Sequence, residues 1–129
     1  MDDLVTWLGE VLDGLEQLAK AATPGPWLAV TPSIPAPPAH LFSQPAGGDP
    51  LVFGEVDSLA DAQHIIHWDP ARVLAEVEAK RRIIQEMAWV LVNTTPDKAV
   101  WDYAALAIRA LALPYRDRPG WKPEWAPER

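Results

Sequence analysis

With 129 residues, a formal net charge of −7 and 49% hydrophobic residues, the chain has the size of one domain and enough apolar mass to close a core. It holds no cysteine, which excludes a disulfide framework, thiolate metal sites and thiol catalysis. The acidic balance argues against nucleic acid as a partner, because such binders draw affinity from a basic face.

The opening Met1-Asp2-Asp3 is acidic, and Gly9, Glu10 and Asp13 interrupt the apolar residues after it, so no signal peptide is expected. No stretch reaches the roughly 18 apolar residues that a membrane span needs. A cytoplasmic protein with no membrane partner is the expectation.

Residues 2–22 predict an amphipathic helix. Leu4, Leu8, Val11, Leu15, Leu18 and Ala22 recur in steps of three and four, with Trp7, Leu12 and Ala19 widening the stripe. Thr23-Pro24-Gly25-Pro26 ends it. Trp27 to Val30 and Leu51 to Val56 are two strand candidates, expected to pair as a small antiparallel ribbon. Between them residues 31–50, rich in proline and carrying Gly47-Gly48, are expected to be a long loop.

Asp57 and Ser58 open a short helix to about His67. Asp69-Pro70 is the clearest helix start in the chain, a capping acid followed by proline in the first turn, and that helix should run to about Val92. Its buried stripe is read as Val73, Leu74, Val77, Ile84, Met87, Ala88 and Leu91. Residues 93–96 should end it and cap a last helix over about 97–113, with Val100, Trp101, Ala104, Ile108 and Leu111 on its inner side. The tail, 114–129, alternates prolines with Tyr115, Trp121 and Trp125 and is expected to lie as extended chain over the helices. The fold class is therefore α+β, predominantly α: three long helices, one short one and a two-stranded ribbon in a single domain, 1–129.

Three sets of residues are site candidates. Asp61, His64 and His67 stand on the short helix at spacings that bring imidazole and carboxylate toward a metal, although a solvated polar face explains them too, and His67 points well away from His64. His40 lies in the loop and joins such a site only through tertiary folding. Arg81 falls in the middle of an apolar stripe, where its head must reach solvent, an acid, a ligand or a subunit interface. Trp121 and Trp125 offer flat surfaces for a ligand or partner, or for the protein's own core. No phosphate loop, nucleophile elbow or His-Glu-x-x-His motif is present, so the expectation is no cofactor and no enzyme.

Three segments carry a resemblance when read together: Ala21-Ala22-Thr23-Pro24-Gly25-Pro26-Trp27, the run from Asp61 through Asp69-Pro70-Ala71-Arg72-Val73-Leu74 to Arg81, and Arg109-Ala110-Leu111-Ala112-Leu113-Pro114-Tyr115. In this order they resemble a family of small uncharacterised proteins from actinobacteria and their phages. That likeness implies kinship without an activity. The family pattern has a cysteine cluster just before the last segment and a histidine at the position of Arg118, which implies a zinc site there, and this chain has neither.

The leading expectation is a non-enzymatic accessory protein that binds another protein or a second copy of itself, with the first helix as the candidate homodimer seam. The alternative is a protein that sequesters a small ligand or nucleotide with Arg81 and the tryptophans. A metal-dependent hydrolase using Asp61, His64 and His67 is the third reading.

Overall fold

The computed structural model describes residues 1–31, 38–93 and 97–128. It is an α+β arrangement of four helices and one three-stranded antiparallel sheet. In chain order these are α1 (Asp2–Ala21), β1 (Trp27–Val30), β2 (Ala39–Ser43), β3 (Leu51–Val56), α2 (Leu59–His67), α3 (Pro70–Asn93) and α4 (Lys98–Ala112). Two single 3₁₀ turns come after α4, Leu113–Tyr115 and Pro123–Trp125. The chain divides into two compact units, Met1–Gly14 with Val77–Arg129, and Leu15–Glu76.

In the first unit the periodic leucines of α1 do what their spacing demands. Leu4, Leu8 and Leu12 have no solvent exposure, and Val11 is buried beside them. From α3 come Val77 and Ile84, and from α4 come Ala104, Ile108 and Ala112. Burying a leucine or isoleucine of this kind is worth about 1.5–3 kcal/mol, so this set supplies the main cohesion of the unit. A homodimer seam along this half of α1 would need the same side chains at the surface, and they are not there.

In the second unit the strand order is β1-β2-β3. Leu28 pairs with Phe42 and Phe42 with Val52, and a bulge lies between Leu41 and Phe42. Ala39 and Leu41 turn to the same face and meet Ala62 of α2, with Phe53, Val56, Ile65 and Ile66 packed around them. Ser58 caps α2 by accepting the N–H of Asp61 at 3.3 Å.

Two expectations need correction. The stretch 31–50 is not all loop, because β2 lies inside it and makes the ribbon three-stranded. The prolines that suggest a loop fall outside the strand, at Pro38 and Pro45, while Ala39, Leu41 and Ser43 alternate inward between them. Residues 32–37 lie outside the described residues, as do 94–96. The tail is not extended either. Pro114 and Pro123 each stand in the opening turn of a 3₁₀ helix, where a fixed φ suits the turn and a missing N–H costs nothing.

Helix boundaries agree closely with the sequence at Asp69-Pro70, where Asp69 Oδ1 accepts the N–H of Arg72 at 3.0 Å. At α4 the cap is Asp97, whose carboxylate accepts from Ala99 and Val100.

Candidate functional site

Each residue singled out from the sequence has a definite place. In the second unit Asp61, His64 and His67 are all exposed on α2. His67 sits edge-on to Trp68 at 5.2 Å. No group of three His, Asp or Glu side chains able to hold a metal ion occurs among the described residues. His40 is a sheet residue, with Nε2 at 3.4 Å from Glu55 across the β2–β3 pair.

In the first unit Arg81 sends its guanidinium to Asp13, 2.5 Å away. Trp121 and Trp125 pack on each other, with ring centroids 5.7 Å apart, and both pack on Trp7, at 5.6 and 5.3 Å. Trp7 Nε1 donates to the carbonyl of Pro119 at 2.9 Å. Their faces are thus occupied by one another, and Trp125 is buried. Lys122 adds an ion pair to Asp3 at 2.9 Å and lies 5.3 Å above the Trp125 ring. That hydrogen bond is the main reason the Asp3 carboxyl titrates below its ordinary value and the Lys122 ammonium above its own.

The three segments that carry the family resemblance meet in two joints. Within the second unit, Trp27 donates its backbone N–H to Asp69 Oδ2 at 3.4 Å and its indole N–H to the carbonyl of Thr23 at 2.7 Å. Ser43 Oγ donates to the carbonyl of Pro24. Gly25 lies so close to Asp69 that a Cβ there would come within 3.0 Å of its carboxylate. Within the first unit, Lys80 Nζ donates to the Tyr115 hydroxyl at 2.8 Å. The guanidinium of Arg118 lies 5.7 Å from the centre of the Tyr115 ring. A guanidinium on a phenol ring, in a chain without cysteine, does not make a zinc donor set, so the zinc site implied by the resemblance does not fit these residues.

The first unit also holds a groove of about 430 Å³ along α4, lined by Lys98, Trp101, Asp102, Leu106 and Arg109 and closed at one side by Pro127 and Glu128. Sequence periodicity places Trp101 and Val100 inward, yet both are at the exposed limit of the helix while Ala104 and Ile108 fill the core. Tyr103 is 73% exposed and Leu106 is 42% exposed. Lys98 and Asp102 form a surface ion pair at 2.6 Å, of the kind worth only a few tenths of a kcal/mol. Arg109 is different. Its Nε lies out of solvent with no hydrogen-bond acceptor among the described residues, a deficit that costs about 1–3 kcal/mol while it lasts. The sequence signal for this site is the pair Asp102 and Arg109, opposite in charge and seven residues apart.

The chain belongs to a family of unknown function, DUF6221, whose model matches residues 1–127. No curated protein and no solved structure matches it. No helix among the described residues is long and apolar enough to cross a membrane.

Proposed function

We propose that the chain acts by binding a protein rather than by making or breaking bonds, with α4 as its contact face. The observation that carries this reading is the surface of α4, where Tyr103 and Leu106 are exposed on one face and Trp101 is partly exposed at its flank, while Ala104, Ala105, Ile108 and Ala112 are buried. Large aromatic side chains beside an arginine are the composition of protein contact surfaces, and an isolated domain gains nothing from exposing them. The resemblance to proteins of actinobacteria and their phages supports an accessory role in a phage or mobile element, at work in the cytoplasm.

The test is a photo-cross-linking residue placed at Tyr103, with Gln17 as the control position, in cells that make the full chain. A discrete adduct from position 103 that position 17 does not give supports the reading. Equal labelling from both positions, or none from 103, overturns it.

A second reading is favoured by the groove itself, which Arg109 lines: a small carboxylate or nucleotide held there, in a volume within the usual range of about 300–1,000 Å³. A thermal-shift series against such ligands, repeated with Arg109→Ala, decides it. A shift that the substitution abolishes sustains it, and no shift with any ligand ends it.

A further inference from the structure

We infer that the free edge of β3 is a docking surface for an extended segment of another protein, apolar and bearing lysine or arginine, which adds to the sheet as a fourth strand. The surface belongs to the second unit and does not depend on the reading of α4.

The face beside that edge is apolar and open. The pairing register sets two rows across the sheet, Leu28–Phe42–Val52 and Val30–His40–Glu55. Ala39 and Leu41 are buried on the inner face with Ala62 of α2, so strand alternation turns His40 and Phe42, with their partners, to the outer one. There Leu28, Val30 and Val52 are 41%, 50% and 56% exposed. A strand placed beside β3 would continue the row Leu28–Phe42–Val52 by one more side chain.

The two edges of the sheet differ. At β1, Asp69 accepts the backbone N–H of Trp27, and α2 packs more heavily on this strand than on β3. At β3 every second residue points its N–H and C=O away from β2, and among the described residues no hydrogen bond reaches those groups. Soluble proteins guard such an edge with lysine, proline or a bulge. The β2–β3 pair has a bulge, which limits an added strand to a few residues, but β3 holds no Lys, Arg or Pro, and Leu51 and Val52 are exposed at its start.

Charge names the occupant. Between Lys20 and Arg72 the sequence contains no Lys or Arg. Asp49, Glu55 and Asp57 stand just before, within and just after β3, and all three are exposed. A second copy would bring the same acids to the same edge and be repelled. A segment with apolar side chains beside Leu51 and Val52, and with Lys or Arg beside Glu55 and toward its ends, meets both the apolar row and the acids.

The test selects twelve-residue peptides from a random yeast-displayed library on the full chain. Selected peptides should combine apolar residues with two or more Lys or Arg. Val52→Lys and Glu55→Lys should each weaken their binding at least about ten-fold, by fluorescence anisotropy, while Tyr103→Ala on α4 should leave it unchanged. Hydrogen exchange of the wild-type chain should slow over residues 51–56 when a selected peptide is added. Circular dichroism confirms that each variant folds, and if one unfolds the other and the exchange measurement decide.

A selection that yields no binder overturns the proposal, as do binders without an excess of Lys and Arg or binders indifferent to both sheet substitutions. Binding that leaves exchange over 51–56 unaltered overturns it as well. Peptides lost with Tyr103→Ala sit on α4, which removes the sheet edge as their site and leaves the reading of that helix standing.

Discussion

Two tryptophan joints, one in each unit, solve the same problem by different means. Around Trp27 the second unit closes a proline-rich turn with polar groups: the indole N–H goes to Thr23, the backbone N–H to Asp69, and Ser43 bonds to Pro24. Around Trp7 the first unit holds the tail mainly by ring packing, with Trp121 and Trp125 within 6 Å and one indole hydrogen bond to Pro119. The polar joint depends on directed bonds that single atoms can break. The aromatic joint depends on buried area, so its loss should scale with the size of the group removed.

The widest gap between the joints should appear on truncation of the rings. Trp7 is buried, and Trp7→Ala should lower stability by about 3–5 kcal/mol, the usual range for a core aromatic. Trp27 is only half-buried, and Trp27→Ala should cost less. Urea unfolding monitored by circular dichroism measures both, and equal losses would erase the distinction. Gly120→Ala sharpens it further. Gly120 has φ of +90°, and an added Cβ would lie 2.8 Å from Trp7 Nε1. Strain and displacement of the ring together should cost about 2–3 kcal/mol. Tryptophan emission should shift to the red as the cluster opens.

In the polar joint the equivalent change is Asp69→Ala. It removes the cap on α3 and the acceptor for the Trp27 N–H together, and should cost about 2 kcal/mol. A loss below about 0.5 kcal/mol would show that water replaces Asp69 at both donors and that the joint is held by packing after all.

These regions are unevenly legible in the sequence, for physical reasons. Asp69-Pro70 and the leucine spacing of α1 are local signals, and both produce the elements they predict. The strand β2 is hidden when proline density is averaged over 31–50, because the strand alternates between the prolines. The tail reads as extended chain because prolines suggest it, and the partners that fold it back, Trp7, Asp3 and Lys80, lie far away in the sequence. Trp101 reads as core because helical periodicity does not say how wide the buried face is. On α4 small alanines, Ala104 and Ala112, take the inner positions and leave the larger rings outside. Arg109 sits within a segment that carries the family likeness, and nothing local shows that its Nε lacks an acceptor. That depends only on its tertiary surroundings.

The smallest expected effect lies in the charged link between Lys122 and Asp3 beside the aromatic joint. Lys122 donates to Asp3 at 2.9 Å, which holds the Asp3 carboxyl below 3.8 and the Lys122 ammonium above 10.5, their ordinary values. For the acid, folding favours the ionised form, so its contribution is complete above pH 3.8 and is lost as pH falls through the lower folded value. For the base the sense is opposite: the contribution is complete below pH 10.5 and is lost as pH rises through the higher folded value. Between those limits the link should give no pH dependence. Lys122→Met should therefore flatten the acid limb of the stability curve and lower the neutral plateau slightly without tilting it, with tryptophan emission as the readout because Lys122 lies over Trp125. Added salt should mimic the substitution in part, since both groups face solvent. An acid limb as steep in Lys122→Met as in the wild type would mean that other carboxylates set it and that the joint is held by its rings alone.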